Sequence, residues 1–199
     1  MSRGRHRSTL AAAAALQRAL EGFYRLERAP DVRRFAVVGT AGTRERLWVR
    51  EVGGALELRL TVPQVLPREL HGTTDGWLQV VEGVSHFLYL AERARTELPA
   101  TQLELELQAE VDKFVAVAAP HRSSRAANLA AHRRLFEAPV RFLHAAPTEA
   151  GARYRYAHTL ACRFVARLVA RSDPRELNAR LVRFHRAGQA EKIALAVAA

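Results

Sequence analysis

The sequence predicts an α+β fold in which helices predominate: an N-terminal helix, a small three-stranded antiparallel sheet and then a bundle of helices. Two patterns indicate this class. Residues 33–62 alternate apolar and polar side chains with the period of two that is typical of strands, whereas the residues on both sides repeat apolar side chains at helical spacing. No internal repeat or Gly/Ser-rich linker divides the 199 residues, which favours a single domain over residues 1–199.

The N-terminal helix is predicted over residues 8–28. Leu16 and Leu20 recur at helical spacing, Ser8 is placed to cap the first turn, and Pro30 follows the end of the segment. The sequence therefore indicates an amphipathic helix with one apolar stripe.

The sheet is predicted as an antiparallel meander of three strands within residues 33–62. Leucine and valine alternate with charged or polar residues along residues 55–62, so that one face of this strand is apolar. Gly53-Gly54 precedes it, and two glycines suit a tight hairpin because glycine reaches positive φ without a Cβ clash. So few strands need another layer to cover their apolar face.

Residues 63–199 are predicted to form five or six helices packed as a bundle with a basic C-terminal part. The predicted helices cover residues 75–97, 99–118, 125–137, 148–171 and 173–186, with a short apolar helix after Gly188. Residues 103–107 alternate Leu and Glu as a strand would. The strong helix-forming propensity of these residues and the helical pattern that continues to Phe114 favour a helix.

Composition excludes several classes of protein. Apolar residues make up 49% of the chain and charged residues 26%, which is close to the globular average and unlike collagen or a low-complexity chain. The single cysteine, Cys162, cannot form an internal disulfide, which points to the cytosol. No apolar stretch is long enough for a transmembrane helix, and the Ala-rich run 10–16 is a poor secretory signal. We therefore expect a cytoplasmic protein without a membrane partner.

The charge is large and unevenly distributed. The net charge is +11, and all basic residues except Lys113 and Lys192 are arginine. Residues 1–118 carry 16 basic and 15 acidic residues, whereas residues 119–199 carry 15 basic and 5 acidic residues. An asymmetry of this kind indicates an anionic partner, such as an acidic protein or a nucleic acid.

The candidate binding residues lie on the predicted helix 148–171. Arginines with an interleaved tyrosine can follow phosphates and stack on a base. The residues concerned are Arg153, Arg155, Tyr156, Arg163, Arg167 and Arg171. An alternative is that the acidic segment 82–113 neutralises these arginines, either within the chain or between copies in a homo-oligomer.

A second function remains open, that of a metal-dependent or carboxylate-dependent enzyme. Glu82 and His86 are one helical turn apart, and together they can reach one metal ion or one substrate proton. Glu106 and Glu110 repeat this spacing on the next helix and are alternative metal ligands. The competing interpretation is a solvated helix face with ordinary ion pairs.

Catalytic signatures are otherwise absent from the sequence. It contains no Walker loop, HExxH, CxxC or GxGxxG motif, and no cofactor is expected. His158 and Cys162 share one side of a helix, but no third residue can be named to orient them. The sequence therefore predicts a non-catalytic binding or assembly protein whose basic C-terminal helices face an anionic partner.

Overall fold

A computed structural model describes residues 2–27, 29–40, 42–118, 124–138, 142 and 144–198. These residues form seven α-helices and one three-stranded sheet. The chain divides into two compact units, residues 1–99 and residues 100–199, which are described in turn. The arrangement of all the helices as one bundle stays a prediction.

The first unit contains the sheet and two long helices. Its elements are α1 (Ser2–Tyr24), β1 (Ala36–Val38), β2 (Arg46–Val52), β3 (Ala55–Val62) and α2 (Asp75–Arg95). Short 3-10 turns at Val32–Arg34 and Pro67–Glu69 connect them. The predicted helix 75–97 is confirmed, since its observed end lies within two residues of the expected one.

The N-terminal helix begins earlier than predicted. Helix α1 starts at Ser2, so Ser8 lies inside it and its hydroxyl donates to the carbonyl of Gly4 instead of capping the first turn. The helix also ends earlier than predicted, at Tyr24, since Arg25 has a positive φ; the predicted last residue, Arg28, falls outside the described residues. The buried side chain of Gln17 donates to the carbonyl of Pro30 and accepts from the backbone of Val32, which fastens the following segment to the helix.

The sheet is mixed, so the prediction of an antiparallel meander is wrong. Strands β2 and β3 form the expected antiparallel hairpin around Gly53-Gly54, both of which have positive φ. The strand order is β1-β3-β2, and β1 runs parallel to β3, with Ala36 opposite Leu60. The alternation of apolar and polar residues identified the side chains that share one face of the sheet. It does not show which edge of β3 each of the other strands joins.

One face of the sheet is covered by helices, as expected. Helix α2 contacts β2 and β3, and α1 contacts β1. Leu60 and Val62 are fully buried on this face, and Phe87 of α2 lies 5.1 Å from Phe35, measured between ring centres. The hydrophobic effect therefore holds this unit together through alternate residues of β3.

The second unit consists of helices. They are α3 (Gln102–Ala118), α4 (Arg125–His132), α5 (Glu149–Arg171), α6 (Pro174–Arg186) and α7 (Gln189–Val197). A π-helical turn, Arg133–Glu137, continues α4. The predicted helices of this region are confirmed, and Thr148 and Asp173 cap α5 and α6 by accepting backbone hydrogen bonds.

Helix α5 is the centre of the second unit. It contacts α3, α4, α6 and α7, and its apolar stripe, which includes Leu160, Val165 and Leu168, is buried. Phe164 stacks on Phe184 of α6, with 4.2 Å between ring centres. Because the apolar stripe of α5 faces the other helices of the unit, its polar residues lie on the opposite face. None of the helices in the described ranges is long and apolar enough to cross a membrane.

Candidate functional site

Three arginines one turn apart form a row on α5: Arg163, Arg167 and Arg171, called here the arginine row. Residues at i, i+4 and i+8 project from nearly the same side of a helix. Arg163 and Arg171 are exposed, and no carboxylate of the described residues lies within ion-pair distance of any member of the row. The expected neutralisation by acidic residues is therefore not observed within the part of the chain that the structure describes.

Arg167 has a structural contact that its two neighbours lack. Its guanidinium donates to the carbonyls of Leu195, at 3.1 Å, and of Ala196, both in the last turn of α7. These carbonyls have no partner within their own helix, so the contact caps α7. Burial lowers the pKa of Arg167, and the positive charges of Arg171 and Arg163 lower it further. The row is thus a cluster of like charges.

The arginines at the start of α5 are bound to nearby groups. Arg155 donates to the carbonyls of His144, at 3.1 Å, and Gly151, at 2.9 Å, and lies 4.6 Å from the ring centre of Phe142. Arg153 approaches the exposed carboxylate of Glu149 at 3.5 Å. Of the predicted binding residues, Arg155 therefore holds the local backbone.

Two further side chains enlarge the exposed part of the row. Tyr156 is 46% exposed and lies two turns before Arg163 on nearly the same side of α5. Arg125, at the start of α4, donates to the carbonyl of Ala170 at 2.6 Å, beside Arg171. No sequence pattern indicated Arg125, because its proximity to Arg171 depends on how α4 packs on α5.

The acidic residues of α3 have partners within their own unit. Glu110 accepts a hydrogen bond from Nδ1 of His158 at 2.7 Å, and its other oxygen lies 2.6 Å from Nζ of Lys113. Burial alone would raise the pKa of Glu110, but the charge of Lys113 and the bond from His158 lower it to about 2. This predicted metal ligand is therefore an ion-paired carboxylate.

Cys162 has a different histidine partner from the one that its spacing suggests. Its sulfur lies 3.8 Å from Nε2 of His132, and the same nitrogen lies 3.3 Å from the carbonyl oxygen of Cys162. A carbonyl oxygen only accepts hydrogen bonds, so this nitrogen must carry a proton to bond it. Burial raises the pKa of Cys162, and the charge of Glu137 raises it too. A protonated thiol beside a hydrogen-bond donor does not support nucleophilic catalysis.

The polar stripe of α2, which consists of Glu82, His86, Tyr89 and Arg93, is buried except for the half-buried Glu82, so it is not a solvated face. His86, Tyr89 and Arg93 are all buried, and the tyrosine hydroxyl accepts from Arg93 at 2.6 Å. Ligand atoms of Glu82 and His86 lie within 4.8 Å of each other. The other predicted ligand, Glu106, belongs to α3 in the second unit.

Sequence reasoning missed Glu45, which directly precedes β2. Its Oε1 lies 3.5 Å from Nδ1 of His86, and both side chains are less than one-tenth exposed. Gly83 makes room for it, because a Cβ there would lie 2.9 Å from Cγ of Glu45. A glycine inside a predicted helix was the signal of a close approach, although it did not identify the approaching residue.

Comparisons with protein-family models, with curated proteins and with solved structures found no match. The function is therefore argued from the residues of this chain.

Proposed function

We propose that this chain is a non-catalytic binding protein that presents the outer side of α5 to an anionic partner, an acidic protein or a nucleic acid. One observation carries the proposal: Arg163 and Arg171 are exposed, have no carboxylate partner among the described residues, and lie next to a third arginine whose pKa is lowered by burial and by their charges. An anion placed on this row relieves the repulsion among three like charges.

The chemistry of arginine fits such a partner. A guanidinium presents several donors in a planar fork, which matches the oxygens of a phosphate or a carboxylate. Arg163 and Arg171 have these donors free for a ligand in the described part of the chain, whereas Arg167 uses its donors on α7. The exposed ring of Tyr156 adds a surface on which a base or a guanidinium can stack.

Two expectations from the sequence accompany this proposal. We propose a cytoplasmic location, where nucleic acids and acidic proteins are both accessible. Association of copies through acidic and basic helices stays a prediction, and sizing by light scattering at low and high salt tests it, because pairing of this kind weakens as salt screens the charges.

The test compares two double variants that lose the same charge. Arg163→Gln/Arg171→Gln removes the unpaired arginines, and Arg180→Gln/Arg183→Gln removes arginines of α6 that pair with Glu176 and Glu191. Fluorescence anisotropy measures binding to a labelled DNA duplex, a single-stranded oligonucleotide and a polyglutamate peptide. We expect the α5 variant to bind its best probe about tenfold or more weakly, and the α6 variant to change affinity by less than about threefold.

Two results would overturn this function. The first is that the unmodified chain binds none of the three probes at physiological salt. The second is that both double variants weaken binding equally, which would assign the effect to net charge and not to the exposed side of α5.

A further inference from the structure

Strand β2 forms one edge of the three-stranded sheet, and the end of its hairpin is exposed on both faces. The strand order β1-β3-β2 gives β2 a single hydrogen-bonded neighbour among the described strands. Trp48 is 46% exposed on one face. Val49 and Leu56, on the face that α2 covers, are still 42% and 44% exposed, so the helix does not cover the end of the hairpin. An edge strand of this kind offers free backbone groups to another strand.

The backbone groups that β2 leaves free are those of alternate residues. Val52 and Ala55 flank the two-residue turn, so this pair exchanges hydrogen bonds across the hairpin. Counting back from Val52 by twos, Arg50 and Trp48 also bond to β3. The N–H and C=O groups that point away from β3 are those of Leu47, Val49 and Glu51. Within the described residues, no backbone hydrogen bond from outside the sheet reaches these groups.

Strand β2 lacks the usual devices that keep an edge strand unpaired. Such strands are commonly short, or interrupted by proline or a bulge. Strand β2 has seven residues without proline or glycine, and its register with β3 is unbroken from Arg46 to Val52. The charges of Arg46, Arg50 and Glu51 are what remains to select a partner, because like charges directly opposite each other are unfavourable.

A second copy of β2 satisfies this charge pattern in one antiparallel register. With Val49 on a two-fold axis, Trp48 faces the partner's Arg50, which permits a cation–π contact in both directions. Within one chain the Arg50 guanidinium already lies 5.3 Å from the Trp48 ring centre, and Glu57 on β3 balances its charge at 2.6 Å. Moving the axis by one residue either way places Arg50 opposite the partner's Arg46 or opposite its own copy, which like-charge repulsion disfavours.

We propose that two copies of this chain associate by pairing their β2 strands antiparallel about a two-fold axis through Val49, which forms one six-stranded sheet. In this register the free backbone groups of each β2 face those of the other, since Val49 lies opposite its own copy and Leu47 opposite the partner's Glu51. Each copy uses its β2 edge in the same contact, so association closes at the dimer. The interface contains no residue of the arginine row, and neither proposal depends on the other.

Sedimentation velocity of the full chain over a range of concentrations measures the dissociation constant of the dimer. We expect a monomer–dimer equilibrium at physiological and at high salt, because backbone hydrogen bonds and apolar contacts are not screened as ion pairs are. Val49→Lys places two like charges on the axis and should weaken the dimer about 100-fold or more. Val37→Lys is the matched control. It makes the same change at a valine of similar exposure on β1, and it should alter the dissociation constant by less than about threefold.

Amide hydrogen exchange of the unmodified chain locates the contact even if a variant fails to fold. The N–H groups of Trp48 and Arg50 are bonded to β3 at every concentration. The N–H groups that should be protected in the dimer, and should exchange faster on dilution, are those of Leu47, Val49 and Glu51. A chain that stays monomeric, or that forms open aggregates, would overturn the proposal. So would a dimer that gives these three amides no protection, or one that Val49→Lys and Val37→Lys weaken equally.

Discussion

At the scale of single residues, Glu110 is a buried carboxylate whose negative charge is stabilised by Lys113 and His158. Its pKa in the folded chain is about 2, against 4.5 in the absence of structure. A folded-state pKa below the unfolded value means that the ionised carboxylate stabilises the fold at pH values above about 4.5, and that this stabilisation is lost as the pH falls toward 2.

We therefore expect Glu110→Gln to lower the free energy of unfolding by about 3 kcal/mol at pH 7, because it removes the carboxylate that is ion-paired with Lys113. The deficit should shrink below pH 4.5 and become small near pH 2, because Glu110 of the unmodified chain then takes up a proton in the folded state, as it has already done in the unfolded state. Urea unfolding over this pH range measures it. Glu149→Gln, which removes an exposed carboxylate, should change little at any pH. A deficit that is equal at pH 7 and pH 3 would contradict the role of the charge.

At the scale of elements, the packing of α2 on the sheet depends on Gly83. A methyl group at this position would meet Leu60 at 2.8 Å and Glu45 at 2.9 Å, and Leu60 is fully buried. We expect Gly83→Ala to destabilise the protein by about 1–2 kcal/mol, because overpacking exceeds the gain in helix propensity.

Gly22 provides the matched control on α1. A Cβ there would meet nothing within 4 Å, so Gly22→Ala should raise the free energy of unfolding by about 0.5–1 kcal/mol. Chemical denaturation of both variants measures the pair of effects. If Gly83→Ala were as stabilising as Gly22→Ala, Glu45 would not be held against α2 in the way described.

The helices were predictable because their signals are local. Thr148 and Asp173 mark the starts of α5 and α6 in the sequence, as they do in the structure. Thr101 and Glu104 form a capping box that marks the start of α3 more accurately than Pro99. The parallel pairing of β1 with β3 was not predictable, because strand order is set by long-range packing.

At the scale of the whole molecule, the excess of positive charge was visible in the sequence, but the different roles of the individual arginines were not. Spacing identified the arginine row, whereas only tertiary contacts separate Arg167, which caps α7, from the exposed Arg163 and Arg171. Glu45 was missed for the same reason, since 41 positions separate it from His86 in the chain. Residues that act together across long sequence distances leave no periodic pattern.

The salt dependence of binding tests the central claim, that the exposed arginines of α5 contact an anionic partner. The measurement is the slope of log affinity against log salt concentration, for the unmodified chain and for Arg163→Gln/Arg171→Gln. On a DNA duplex, the loss of two phosphate contacts should flatten the slope by about 1.8, at about 0.9 for each contact, whatever the base sequence. With the polyglutamate peptide, the slope should also become flatter. An unchanged slope for every probe that binds would contradict the account.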